Sequence, residues 1–579
     1  MLLRLTGGLW PILPAVLHLI GLVQSVSAAG TCRSQPGDAD FPTVEEWSAL
    51  NVSVNGRLIS VTPSAKFCED LPCTDAEWSS SVFRATIPGA MDCYNWEQDY
   101  SGNSTCLEGA SVCGQGDVPL YAINATFASD VQAGVNFAST NNLRLSIKSS
   151  GHDLLGRSTA KNSLLIWTRY LANATFSESF ELNGTSVGSA VTVGPGVALN
   201  AAYLAAKAQG KIIVGGTAAS VAPSGGFVQG AGHSAFSPLF GLAADVALQF
   251  KVVIANGSLL TVDATNYPDL FWAMRGGGGG SWGVIIETTF QTFDTFNVSK
   301  HTVGIIAPTN DSTGALMTIH ANHIFDWDSV NAGQYAYVYP PSIPTNGLVA
   351  NPAYGTSSNG LGLLTYFANQ TEDQALALMK PLLDDVRAQG FEVVNETVVV
   401  ELANDAVYAA DNAAGVSTIM GSRFFSSDAY KTNAAGIGAA YQQLIEQGAT
   451  QIGGNLVAGG KVSDPSVSNA VTPKWRAAKS HILTTLGWAD SATPAEIEAV
   501  KNQLTNTLVP ILDKATTEDD AGSYMSEGDV REPNFQTTFY GGNYAKLKTI
   551  KAIYDPNELF IVGAGVASEN WDEDGLCRL

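Results

Sequence analysis

The stretch Ser149-Ser150-Gly151-His152-Asp153-Leu154-Leu155-Gly156-Arg157 sets a single imidazole at the tip of a turn built from small residues. Serine and glycine on either side let successive backbone N–H groups turn toward an anion, and an imidazole can act as proton carrier or nucleophile. A second such stretch, Ser224-Gly225-Gly226-Phe227-Val228-Gln229-Gly230-Ala231-Gly232-His233, carries another histidine. In a third, five glycines from Gly276 to Gly280 precede Ser281-Trp282-Gly283-Val284-Ile285. Glycine loses much backbone entropy on folding, so such a run between apolar flanks implies close approach of backbone to a bulky ligand. Near the other end, Tyr524-Met525-Ser526-Glu527-Gly528-Asp529 and Phe539-Tyr540-Gly541-Gly542-Asn543-Tyr544 offer carboxylates and phenols that could take or position a proton. The seven histidines include no His-x-His or His-x-x-x-His pair, so no metal site is expected.

The elements that must position these groups follow from periodicity. Leu143-Arg144-Leu145-Ser146-Ile147-Lys148 alternates and predicts a strand leading into the His152 turn. Before it, Thr126 to Asn141 has Phe127, Val131, Val135 and Ala138 on a helical stripe. Strands are expected at Leu164–Trp167, Ala190–Val193 and Leu248–Ile254, the last continuing through an Asn256-Gly257 hairpin turn. Past residue 297 strands such as Tyr335–Val338 mix with helices such as Asp373–Ala388, and read as a covering α+β region. Within it Asn469, Lys474, Trp475, Arg476 and His481 are candidate lining residues.

At 579 residues the chain is too long for one compact core. Its 30 Lys+Arg against 53 Asp+Glu give a net charge of −23 with no basic run, which argues against nucleic acid or an anionic membrane as partner. Arg4, an apolar segment through Val23 and the small residues Ser25 to Gly30 read as a secretory signal over 1–29, cut near Ala28 or Ala29. Ten N-x-[ST] sequons agree with export. Six of seven cysteines fall in the first 113 residues, where they could staple the N-terminal segment. A Cys32–Cys577 bridge would tie the termini together, and one thiol is left over.

Together these pieces resemble the covalent-flavin oxidoreductases of the vanillyl-alcohol-oxidase fold, in the berberine-bridge-enzyme-like branch with its secreted fungal members. Three motifs in the right order carry the resemblance: Gly151-His152-Asp153 with Gly156, the Trp272-to-Gly283 block, and Asn543-Tyr544 ahead of Tyr554-Asp555-Pro556. The resemblance implies an α+β fold: a two-subdomain PCMH-type FAD-binding domain, an α+β substrate domain, and a C-terminal segment returning to the first. The expected divisions are a signal at 1–29, a cysteine-containing segment at 30–114, the FAD-binding domain at 115–296, the substrate domain at 297–520 and the returning segment at 521–579. By the same resemblance His152 bonds the flavin 8α-methyl, while Ser149, Ser150, Gly151 and Gly156 hold the pyrophosphate. Gly225, Gly226, Gly230, Gly232 and His233 lie against the isoalloxazine and ribityl side, Gly283, Val284 and Ile285 near the adenosine, and Asn543 and Tyr544 beside the flavin.

Two departures sharpen the expectation. Many relatives make a second flavin bond through a cysteine where this chain has Ala218, and no cysteine stands between Cys113 and Cys577, so FAD should be held through His152 only. Plant relatives place tyrosines at the positions of Leu154 and Glu527. Glu527 is the expected proton acceptor, with a pKa raised by desolvation beside the flavin, and Tyr524 and His233 are the other catalytic candidates. The expected protein is a secreted, monomeric oxidase that passes a hydride from an alcohol, carbohydrate or secondary metabolite to FAD, and its electrons to O2. A dehydrogenase or a non-catalytic flavoprotein of the same fold is the alternative.

Overall fold

The computed structural model describes residues 32–102, 104–307, 309–340, 359–517 and 521–579. The signal expected over 1–29 and the sequon asparagine at position 103 lie outside the described residues.

The Leu145–Lys148 strand that delivers the His152 turn is the edge of a four-stranded sheet, in the order Leu58–Ser60, Tyr121–Asn124, Leu164–Trp167, Leu145–Lys148. The last three run parallel, and Leu58–Ser60 is antiparallel to its neighbour. Parallel strands need a crossover, and the Ala128–Thr140 helix provides one. Its Val131, Val135 and Ala138 join Ile123, Leu145 and Ile166 in one core, as the helical stripe predicts. The alternation of Leu143–Lys148 does not separate a wet face from a dry one: Arg144, Ser146 and Lys148 are buried as well. Both faces of this sheet are covered, by the helix on one side and by residues 87–91 of the N-terminal segment on the other.

Lys148 is the clearest case. Its Nζ donates to the carbonyls of Ile87, Pro88 and Ala90 at 2.8, 2.8 and 2.5 Å, clamping the N-terminal segment beside the His152 turn. Burial brings its pKa down to about 7. Lys148→Met leaves three carbonyls without their donor and is expected to destabilise the fold by about 3 kcal/mol or more. Calorimetric Tm of wild type and variant checks this.

A second, antiparallel sheet of five strands runs Leu259–Asp263, Ala247–Val253, Val284–Gln291, Ala190–Val193, Ala174–Ser177. The expected hairpin joins the first two, with Gly257 at φ 77° in the turn. Against this sheet Ser224 donates to Thr288 Oγ1 at 2.7 Å and seats the second glycine stretch.

The third sheet is antiparallel throughout, with seven strands ordered Glu392–Leu402, Asn297–Ala307, Asn359–Ala368, Gly333–Tyr339, Gln451–Leu456, Ala478–Gly487, Thr418–Ser426. On one face Ala336, Val338, Leu363, Ile452 and Ile482 pack with the helices Thr313–Asn322, Glu372–Ala388 and Ser427–Glu446. The alternate residues, Tyr335, Tyr337, Asn455 and His481, look the other way, toward the glycine stretches. The chain thus has the α+β architecture of two small subdomains plus a substrate domain. After it, the helices Phe535–Tyr540 and Tyr544–Tyr554 return to the first two sheets.

Disulfides join Cys32 to Cys577, Cys68 to Cys73 and Cys106 to Cys113, and the remaining thiol, Cys93, is buried. No described helix is long and apolar enough to cross a membrane.

Candidate active site

The three sheets enclose a cavity of about 330 Å³. Ser149, Ser150, Gly151, His152, Gly225, Gly226, His233, Gly283, Ile285, Tyr524 and Glu527 all line it, although they come from four separate parts of the chain. Six other expected residues stand behind this lining. Gly156 abuts the Trp96 indole, where a Cβ would come within 2.5 Å, and Gly230 abuts Ser526. Gly232 is packed on Phe227 and Ala243, and Val284 points into the core behind the strand. Asn543 Nδ2 donates to the carbonyls of Ala470 and Val471 at 3.2 and 3.1 Å, and the Tyr544 hydroxyl donates to Glu569. Both side chains fasten the returning segment.

The glycine run serves protein packing as much as a ligand. At Gly276, φ 110°, a Cβ would sit 2.2 Å from the Val471 nitrogen, and in this run only Gly279 and Gly280 line the cavity. Gly226 is different: a Cβ there would meet nothing within 4 Å, so the bare backbone borders the open cavity.

The His152 ring is held from one side. Its Nδ1 lies 3.1 Å from the Ser220 hydroxyl and 3.5 Å from Asp92 Oδ2. Burial raises the Asp92 pKa, against the pull of His152 and Arg84. The other ring nitrogen, Nε2, has no partner among the described residues, and the side chain is 20% exposed into the cavity. Ala218 also lines the cavity, and no cysteine does. An imidazole with one free nitrogen, an exposed glycine backbone at Gly226 and a pliable turn at Gly151 (φ 85°) suit a flat, anion-bearing cofactor such as FAD.

Across the cavity, Glu527 Oε1 lies 3.2 Å from His233 Nε2, and Oε2 lies 3.3 Å from His481 Nδ1. The ligating atoms of these three side chains all fall within 4.8 Å of one another. Sequence spacing could not disclose this cluster, because its members come from a loop, a substrate-domain strand and the returning tail. The expectation of a raised Glu527 pKa is reversed here. Burial does push the carboxyl up, but His233 and His481 outweigh it and hold the group well below the usual carboxylate range. Burial lowers the His481 pKa, against the pull of Glu527. Tyr524 packs edge-on against His233 at 5.5 Å, its phenol pushed well above the ordinary range by burial.

Of the candidate substrate-domain residues, His481 belongs to this cluster and Trp475 packs against its two imidazoles. Arg476 and Asn469 instead bind Asp245, and Trp475 packs against Phe424 and Tyr524. Tyr335, Tyr337, Met420 and Asn455 line the cavity without any local sequence signal.

Comparison with known proteins agrees with this geometry. A family model described as FAD binding domain matches residues 119–263, and one described as berberine and berberine like matches 523–567. An uncharacterized FAD-linked oxidoreductase of Arthroderma benhamiae is 35% identical, over 98% of this chain and 99% of its own length. The FAD-linked oxidoreductase patO of Aspergillus clavatus is 32% identical over 95% of each chain. Among solved structures, the VAO-type flavoprotein MtVAO615 from Myceliophthora thermophila aligns with a TM-score of 0.84 at 29% identity, covering 95% of this chain and all of its own. This chain belongs to the FAD-linked oxidoreductases of the vanillyl-alcohol-oxidase fold with a berberine-bridge-enzyme-like C-terminal segment.

Proposed function

We propose that this chain is an extracellular oxidase that holds FAD through one bond, at His152, and takes a hydride from a small hydroxyl-bearing substrate, with O2 as the final acceptor. The observation that carries the reading is a single cavity joining the His152 turn to the Glu527–His233–His481 cluster. The bound flavin supplies the hydride acceptor.

The chain's own groups do the rest. His152 Nε2 is the atom free to bond the cofactor, and Ser220 and Asp92 hold the opposite nitrogen. Ser149 to Gly151, with Gly225 and Gly226, form the cradle. Glu527 is ionised throughout the working range, so alone it is a weak base. Paired with His233 it becomes a stronger one: the Glu527–His233 pair, with Oε1 and Nε2 3.2 Å apart, takes up the substrate hydroxyl proton as a unit. His481 Nδ1 stands 3.3 Å from the far carboxylate oxygen. Three disulfides and export-type sequons support action outside the cell, where a tethered cofactor is not lost by dilution.

A panel of alcohols, sugars and phenolic compounds mixed anaerobically with the flavin-loaded protein tests the reading. At least one class should bleach the flavin, with colour and H2O2 appearing when O2 is readmitted. A flavin that no member bleaches would overturn it, and bleaching without reoxidation would make the chain a dehydrogenase.

A further inference from the structure

Four side chains on the cavity face of the seven-stranded sheet stand in one row across four strands. Tyr335 is the register partner of Asn455, Asn455 of His481, and His481 of Phe424. Side chains so paired lie about 5 Å apart. His481 belongs to the Glu527 cluster, which leaves Tyr335 and Asn455 beside it with no assigned task. Both are 4% exposed, and both line the cavity. Neither the Tyr335 hydroxyl nor Asn455 Oδ1 has a hydrogen-bond partner among the described residues. A buried polar atom left unpaired costs about 1–3 kcal/mol, so two adjacent ones on a cavity wall mark a place where a ligand completes the bonding.

The surroundings define that ligand. No lysine or arginine of the substrate domain lines the cavity, and Tyr337, Met420 and Leu483 make the nearby wall largely apolar. The one arginine of the lining, Arg157, comes from the His152 turn, so a carboxylate or phosphate would find no countercharge on the substrate-domain wall itself. The Tyr335 hydroxyl can donate and Asn455 Oδ1 can only accept, a combination that one hydroxyl group satisfies at both ends. The ring centroids of Tyr335 and His233 are 6.2 Å apart, which places this pair within a few bond lengths of the proton-taking cluster.

We propose that Tyr335 and Asn455 form a subsite for a second hydroxyl of the substrate, so that the chain selects uncharged diols on an apolar skeleton over the matching monoalcohols. The proposal rests on the oxidase reading only in taking this cavity as the substrate's.

The test uses the flavin-loaded protein and two probes, 2-phenylethanol and 1-phenylethane-1,2-diol, with binding read from anaerobic perturbation of the flavin spectrum. Wild type is expected to bind the diol about tenfold more tightly, and Tyr335→Phe and Asn455→Leu each to remove most of that preference. Unchanged flavin content is the folding control, and the two variants back each other up. Equal binding of both probes by wild type, or a preference that survives both substitutions, overturns the subsite. Because the readout is binding, a flavin that no alcohol bleaches would sink the oxidase reading alone and leave the subsite to be judged by its own preference.

Discussion

His152→Ala is expected to yield a chain that gives up all of its flavin on acid precipitation, whereas wild type keeps one flavin per chain in the pellet. The magnitude follows from the number of tethers. Ala218 lines the cavity and no cysteine does, so with the proposed single bond at His152 removal of one imidazole removes the covalent hold entirely. In native solution the variant's flavin content then follows mass action, falling on dilution and rising with added FAD. Asp92→Asn makes the informative contrast. Asp92 Oδ2 is 3.5 Å from His152 Nδ1 and can draw its proton, which makes Nε2 the better nucleophile. That variant should reach full attachment, only more slowly, when apo-protein is mixed with FAD. Flavin retained by the alanine variant after denaturation would mean that another side chain carries it.

Glu527→Gln is expected to lower kcat by about 10²–10⁴-fold while flavin content and fold are kept, the usual range for loss of a general base. The pH profile separates a proton-holding role from a merely structural one. Because His233 and His481 hold Glu527 well below the carboxylate range, its own ionisation does not produce the acid limb. That limb reports a proton arriving on His481, whose pKa burial lowers against the pull of Glu527. Removing the Glu527 charge removes that pull and should move the residual limb to lower pH. A Glu527→Gln variant with wild-type kcat, or with a limb moved to higher pH, would remove Glu527 from the proton path.

The local signals in the sequence reached far into the fold. Leu145–Lys148 is a strand that leads into the His152 turn, the Ala128–Thr140 helix carries the Val131, Val135 and Ala138 stripe, and Cys32 pairs with Cys577. The two histidine-bearing glycine stretches, legible as chemistry, do meet at one cavity. What escaped is what depends on long-range register. Tyr335, Asn455 and His481 stand side by side only because three strands separated by intervening helices and loops pair in one register, and no local pattern records that. Asn543 and Tyr544 sit in a conspicuous motif, yet their side chains bind Ala470, Val471 and Glu569 and leave the cavity to others. The Glu527 pKa reverses for a related reason. Burial can be guessed from a sequence, whereas two imidazoles arriving from distant segments cannot.

The most direct measurement of the central claim is a peptide map of the denatured, flavin-loaded wild type. Trypsin cuts after Lys148 and Arg157, which frees Ser149–Arg157 with His152 as its only histidine. A flavin mass on that peptide, at His152 and nowhere else in the chain, is the expected result. An unmodified Ser149–Arg157 peptide from a chain that is yellow when folded, or a flavin mass on any other peptide, would contradict it.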